Sequence, residues 1–182
     1  MSVAAVVSAV CIESVLPLEW QPKPSLTHSN IELQKQGNLA LLRALSSIEA
    51  TTPERDAHGE AVEKSIERVE SKLDVLILLV ARMAAGSITM PPEKALTLDT
   101  QRLAWDETGT LPAPGSELLI NLYLNPRLPQ PLQLVVKVET VAGTQVVGAL
   151  EPLGDDLEEW LTRTIFRYHR RALQARKSAQ QA

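Results

Sequence analysis

The chain has 182 residues, of which 45% are hydrophobic and 22% charged, and its formal net charge is −4. This length suits one ordinary globular domain with an accessory segment. The acidic balance and an aromatic content of only 3% exclude a dedicated nucleic-acid binder, which needs a broad basic face and stacking platforms. A lone cysteine, Cys11, cannot form an intramolecular disulfide, so we expect a buried thiol and a cytoplasmic protein.

Residues 1–24 are predicted to form one strand followed by a turn. The segment is rich in Val and Ile and ends in PLEWQPKPS, whose three prolines are expected to stop any regular element. Its apolar beginning differs from a signal peptide because no basic residue precedes it. The strand could supply one edge of a barrel formed by the rest of the chain.

Residues 25–86 are predicted to form a helical hairpin used for oligomerisation. Thr27, Ser29 or Asn30 can cap a first helix over IELQKQGNLALLRALSSIEA. Pro53 can begin a second helix, which would run to Gly86. The apolar end of this helix is bounded by charged residues and is too short to span a bilayer, so no membrane insertion is expected.

The second helix contains an unbroken heptad pattern over about residues 60–85. Its apolar positions alternate in steps of four and three residues: Val62, Ile66, Val69, Leu73, Leu76, Val80 and Met83. Placing Ile66, Leu73 and Val80 at position a puts β-branched residues at d, which favours trimers or tetramers over a parallel dimer. We predict a parallel four-helix coiled coil between copies, with a dimer, a trimer or packing within one chain as alternatives.

Residues 87–182 change to short runs of β-forming residues and a final helix. KALTLD, RLAWD, SELLINLYL, LQLVVKVETV and TQVVGAL are separated by turn sequences. With the N-terminal strand, they predict a six-stranded antiparallel barrel in an α+β fold. The helix follows Gly154, with Leu157, Leu161 and Ile165 on one face and acidic residues in its first turn.

The segment ALTLDTQRLAW, the strands after it and the final helix resemble a PilZ domain over about residues 88–170. VLPLEWQP, LLRAL, the heptad helix and FRYHRR are similar to an atypical subgroup that carries extra helices and assembles through them. The resemblance implies a six-stranded barrel with a C-terminal helix. In members that bind cyclic di-GMP, an RxxxR loop precedes a (D/N)xSxxG motif, because arginines bind guanine edges and phosphates.

This sequence departs from both ligand motifs. Aligning DTQRLA with (D/N)xSxxG keeps Asp99, but places Gln101 at the serine position and Ala104 at the glycine position. Between Met83 and Asp99 the chain has no arginine, only Lys94, so the phosphate-binding loop is missing. We therefore expect no cofactor, and cyclic di-GMP binding to be impaired.

The sequence predicts a non-enzymatic signalling adaptor that acts through protein contacts. No HExxH, CxxC or glycine-rich phosphate loop is present, and the three histidines are isolated. The basic end of the last helix fits a solvated helix terminus, while Arg170 and Arg171 could contact an acidic surface of an unidentified signalling partner. The alternatives are a cyclic di-GMP receptor with non-standard binding residues and a structural scaffold whose helical bundle is the main function.

Overall fold

The computed structural model of the chain describes residues 10–25, 27–49, 90–125 and 130–180, and also Val69, Lys72, Leu73, Leu76 and Val80. The elements in these ranges are β1 (Ile12–Pro22), α1 (His28–Glu49), β2 (Glu93–Leu98), β3 (Arg102–Asp106), β4 (Glu117–Leu122), β5 (Leu132–Ala142), β6 (Gln145–Leu150) and α2 (Asp155–Gln180).

The six strands close into a barrel in the order β1-β2-β3-β6-β5-β4, and all neighbours are antiparallel. This confirms the predicted barrel with its C-terminal helix. The β5–β6 hairpin has a two-residue turn in which Gly143 adopts a φ of 62°, a conformation that favours glycine. Closure gives every strand two neighbours, although β1 divides its length between β2 and β4, and β5 pairs with β6 only from Val136 onward.

Strand alternation fills the barrel with aliphatic side chains. Leu118, Ile120 and Leu122 of β4 are buried, as are alternate residues of β5. Trp105 is the largest side chain in this core and is 1% exposed. Trp20 and Trp160 are partly buried and pack at the edge of the core.

The expectation that the prolines of PLEWQPKPS stop any regular element is wrong for Pro17, because β1 continues through it; the strand ends at Pro22, within the predicted segment 1–24. Residues up to Pro17 pair with β2, and residues from Leu18 onward pair with β4. Pro17 lies where the strand changes neighbours, and its carbonyl oxygen accepts a hydrogen bond from the Tyr123 amide at 3.0 Å. A proline costs least where its missing N–H has no ladder partner, which explains why the strand is not interrupted.

The two helices pack together and cover one side of the barrel. Leu157, Leu161 and Ile165 of α2 are buried, which confirms the predicted inner face. In α1, Leu41 and Leu45 are buried, and the Asn30 amide contacts the Thr27 hydroxyl at 3.4 Å, as expected for a cap. Tyr168 further anchors α2 by donating its hydroxyl to the Leu124 carbonyl at 3.0 Å.

A buried asparagine fastens α1 to β5. Asn38 is 3% exposed; its Nδ2 donates to the Gln133 carbonyl at 2.7 Å and its Oδ1 accepts from the Gln133 amide at 2.9 Å. Gln133 pairs with β4 on one side, while the pairing of β5 with β6 begins only at Val136. Asn38 therefore supplies the two hydrogen bonds that a neighbouring strand would otherwise make.

Candidate functional site

The first candidate site is the β2–β3 turn, which contains the degenerate motif. Asp99 is 4% exposed, and its Oδ1 accepts hydrogen bonds from the amides of Gln101 at 2.7 Å and Arg102 at 2.6 Å. The Asp99 amide in turn donates to the Arg102 carbonyl at 3.0 Å. An aspartate side chain bound to amides two and three residues ahead stabilises a tight turn. Asp99 therefore stabilises the backbone conformation of this turn.

Gln101 and Ala104 are not brought together by the turn. Gln101 is exposed at its tip, and its carbonyl oxygen binds the Leu150 amide at 2.7 Å. Ala104 lies in the middle of β3, opposite Thr97 of β2 and Val147 of β6. It alternates with the core residues on either side and faces outward. Asp99 and Gln101 thus share one turn, while Ala104 lies in the adjoining strand and is only 6% exposed.

A groove of about 380 Å³ lies beside this turn. Its charged lining residues are Arg102, Glu139, Glu151 and Glu158. Three carboxylates against one guanidinium give the groove a negative formal charge. A ligand with two phosphates would be repelled here, because like charges in a cleft raise the electrostatic cost of binding.

The single arginine of this groove is held by a neighbouring carboxylate. Arg102 Nε lies 3.2 Å from Glu139 Oε2, and both side chains are 38% exposed. Glu139 occupies an irregularity in the β5–β6 pairing, between Val138 and Thr140. A bulge of this kind redirects a side chain, and here the carboxylate reaches Arg102. The pair reduces the positive charge that Arg102 can offer to an anion.

Lys23, which contacts the groove residue Glu151, is likewise paired. Lys23 Nζ lies 2.5 Å from Glu151 and 3.2 Å from Glu117. The hydrogen bond that Lys23 donates to Glu151 is the main cause of the raised pKa of Lys23, and Glu117 adds to it, while partial burial opposes them. The lysine is thus charged and held between two carboxylates of its own chain.

A second cluster lies at one end of the barrel and was not predicted from the sequence. Glu107 is 5% exposed, and it accepts hydrogen bonds from Trp20 Nε1 at 2.6 Å, from the Gly109 amide at 3.0 Å and from Lys94 Nζ. Burial alone would raise the pKa of Glu107, but the hydrogen bonds from Lys94, Gly109 and Trp20 outweigh it and lower the pKa. The carboxylate is therefore ionised and structural.

The predicted heptad positions form a third candidate site. Val69, Leu73, Leu76 and Val80 are helical, and their side chains are 55%, 50%, 54% and 62% exposed. Lys72, also helical, is exposed beside them. The remaining predicted interface residues Val62, Ile66 and Met83, and most of the predicted hairpin, lie outside the described residues. The described part thus presents a helical row of large apolar side chains to solvent.

The basic half of α2 is a fourth candidate site. Arg170 and Arg171 are both exposed. Nearer the start of the helix, the guanidinium carbons of Arg163 and of Arg43 from α1 lie 5.2 and 5.7 Å from the Trp160 ring centroid, within cation–π range. The i, i+3 spacing of Trp160 and Arg163 could have indicated the first contact, but Arg43 is too distant in sequence to be inferred.

Metal and membrane features can be assessed over the described ranges. In those ranges no three histidine, cysteine or acidic side chains come close enough to bind a metal ion. None of the helices described there is long and apolar enough to cross a bilayer.

A closed six-stranded antiparallel barrel with a packed C-terminal helix and a β2–β3 turn at the motif position defines a PilZ-type domain. The family described as "atypical PilZ domain, cyclic di-GMP receptor" matches residues 42–177. The chain belongs to this atypical PilZ family.

Among solved structures, a pathogenic protein from Xanthomonas campestris has the same fold. The two chains are 24% identical and superpose with a TM-score of 0.65, and the match covers 90% of each. That protein is described as a tetrameric PilZ domain that self-assembles via an unusual helical bundle. No curated protein matches the chain.

Proposed function

We propose that this atypical PilZ protein is a non-enzymatic signalling adaptor that assembles into a homotetramer through a parallel coiled coil. In this proposal the barrels are displayed in several copies and act through protein contacts. Multivalent display raises avidity because a second contact becomes intramolecular, so individually weak contacts gain effect.

The exposed heptad row carries the proposal of assembly. Four apolar side chains at successive a and d positions are each at least half exposed in a single chain. Burying the exposed half of each is worth about 1 kcal/mol, or roughly 4 kcal/mol per subunit from these positions alone. The Xanthomonas protein, which shares the fold, is itself a tetramer formed by a helical bundle, and this favours four copies over two.

The acidic groove supports the second half of the proposal, that cyclic di-GMP is not bound at the motif position. Asp99 is engaged in its own turn, and Arg102 is paired with Glu139. The groove therefore offers one paired arginine in place of two, and the serine and glycine positions of the motif are Gln101 and Ala104. The described residues hold no nucleotide-specific arrangement at this turn that would replace them.

A cyclic di-GMP receptor remains the second candidate function, because the family itself is described as a receptor. Such a receptor would bind the dinucleotide away from the β2–β3 turn. The two candidates differ in one measurable property, the affinity of the intact protein for cyclic di-GMP.

Assembly is tested by replacing Leu73 and Leu76 with aspartate and measuring the molar mass by light scattering after size exclusion. We expect the wild type to elute as a tetramer and the double variant as a smaller species with an unchanged barrel circular dichroism. Lys72→Gln, which changes a charge on the same helix outside the a and d positions, is the matched control and should remain tetrameric. A wild-type monomer at micromolar concentration would refute the proposal of assembly.

Ligand binding is tested by calorimetric titration of the wild-type tetramer with cyclic di-GMP. We expect no binding at micromolar concentrations. As a control for the role of the turn, Gln101→Ser/Ala104→Gly/Glu139→Gln restores the motif residues and releases Arg102, and any gain of affinity should appear only in this variant. Micromolar affinity of the wild type would support the receptor instead.

A further inference from the structure

The outer face of α2 carries an apolar and basic row that the fold does not use. Phe166, Arg170, Leu173 and Lys177, here called the α2 stripe, follow one another in steps of four, three and four residues, so they lie on one helix face. Phe166 is 60% exposed and Leu173 is 43% exposed. Phe166 is the only phenylalanine in the chain, and its position in solvent is unusual for so large an apolar side chain.

The stripe is not needed to hold α2 on the barrel. The opposite face provides the buried contacts of the helix through Leu161 and Ile165, which are 0% and 1% exposed. Near the C-terminal end, Arg176 adds an ion pair with Glu13 of β1 at 2.8 Å. The helix is thus anchored along its length by residues outside the stripe, so the stripe is available to contact another molecule.

The charge on this part of the helix is entirely positive. After Glu159 the helix has no acidic residue but six basic ones: Arg163, Arg167, Arg170, Arg171, Arg176 and Lys177. Arg163 is bound to Glu159 at 2.5 Å, whereas Arg170 and Lys177 have no ion-pair partner within residues 10–25, 27–49, 90–125 and 130–180. Two available cations therefore alternate with Phe166 and Leu173 in a chain whose net charge is −4.

We propose that the α2 stripe docks an acidic amphipathic helix of a partner protein. Phe166 and Leu173 are about 10 Å apart along the helix axis, since each residue rises 1.5 Å. Two apolar residues seven positions apart on the partner match this separation, and flanking Asp or Glu side chains face Arg170 and Lys177. The proposal rests on the adaptor function above and names the chemistry of the partner.

A partner helix fits the stripe better than an anionic membrane does. A helix that lies on a bilayer buries a continuous apolar face, but the stripe has only two apolar residues, and Glu159, one heptad before Phe166, places a carboxylate on the same face. Its length of about three turns is instead that of a contact between two packed helices. The alternation of apolar and basic residues also sets a register, which a fluid surface does not require.

The test uses the intact tetramer and two fluorescein-labelled helical peptides with the same heptad leucines, one flanked by glutamate and the other by lysine. We expect the glutamate peptide to bind, as measured by fluorescence anisotropy, and the lysine peptide not to bind. Phe166→Ala and Arg170→Ala should each weaken binding about tenfold, corresponding to roughly 1.4 kcal/mol. Arg171→Ala is the matched control, because it removes the same charge about 100° around the helix and should leave the affinity unchanged.

Three results would overturn the proposal. Equal weakening by Arg170→Ala and Arg171→Ala would mean that only bulk charge acts, and absence of glutamate-peptide binding up to about 1 mM would mean that the stripe has no helix-binding capacity. Phe166-dependent sedimentation with phosphatidylglycerol vesicles, without peptide binding, would assign the stripe to a membrane. Light scattering on each variant reports assembly separately, so loss of the tetramer is distinguishable from loss of docking.

Discussion

Replacing Glu107 with glutamine is expected to destabilise the barrel strongly. The substitution keeps the size of the side chain but removes the negative charge that binds Lys94 and the Trp20 indole. The side chains of Lys94 and Glu107 are only 12% and 6% exposed, so the lysine would be left without its carboxylate partner and with little access to water. Removing one member of a buried pair costs about 3–5 kcal/mol. Since glutamine still accepts one hydrogen bond, we expect about 3 kcal/mol.

The measurement is urea unfolding followed by tryptophan fluorescence, with all variants at the same protein concentration. For a slope of about 1–3 kcal/mol per molar urea, a loss of about 3 kcal/mol moves the midpoint by roughly 1–3 M. Glu139→Gln is the control, because it breaks the half-exposed pair with Arg102 and should cost less than about 1 kcal/mol.

A double-mutant cycle with Lys94→Met isolates the pair itself. Once Lys94 is apolar, the Glu107→Gln change no longer leaves a buried cation, so the two effects should fall short of additivity by about 1–3 kcal/mol. If Glu107→Gln moves the midpoint no further than Glu139→Gln does, the cluster does not stabilise the barrel and the reasoning fails.

Three further predictions concern acid stability, the α1 contact and the barrel interior. Because the folded-state pKa of Glu107 is lowered, its contribution to stability is complete above the unfolded-state pKa of about 4.3 and is lost as the pH falls through the lowered value. In thermal melts from pH 6 to 3, the melting temperature should therefore fall less in Glu107→Gln than in the wild type. An equal fall in both proteins would contradict this. Asn38→Leu leaves the Gln133 amide and carbonyl without their buried partners and should cost about 1–3 kcal/mol, with faster hydrogen exchange at the Gln133 amide; wild-type exchange would contradict it. Gly148→Ala places a Cβ 2.3 Å from Val136 Cγ1 and 2.8 Å from the Lys137 carbonyl oxygen, so urea denaturation should show a loss of about 1–3 kcal/mol, and wild-type stability would show that the strands can separate at no cost.

The barrel was accessible from sequence because its signals are local. The runs KALTLD and RLAWD are rich in strand-forming residues and lie on either side of a turn. Both form strands with nearly the predicted bounds. The same holds for the buried face of α2, which a helical repeat defines within one element. Cys11 is buried as expected, and burial, followed by the nearby carboxylates Glu13 and Asp99, raises the pKa of its thiol.

The features that sequence reasoning missed depend on residues far apart in the chain. Trp20 and Glu107 are 87 positions apart, and Asn38 and Gln133 are 95 apart, so no local pattern relates them. The proline error has the same origin, because whether Pro17 interrupts a strand depends on which neighbour that strand has at that point. The loss of the motif residues was visible in the sequence. The hydrogen bonds that the Asp99 carboxylate accepts from the Gln101 and Arg102 amides were not.

The division of β1 between two neighbours has a consequence for biosynthesis. The cylinder closes only after β6 has been made, because β6 joins β3 to β5. Trp20 in β1 pairs with Ile120 in β4, so this pairing cannot form until β4 has left the ribosome. Until then the second half of β1 has an unsatisfied edge, which is a hazard for aggregation in a nascent chain. Such a distant pairing also raises the contact order, and therefore slows folding. Closure of the barrel is thus a late event in the synthesis of this domain.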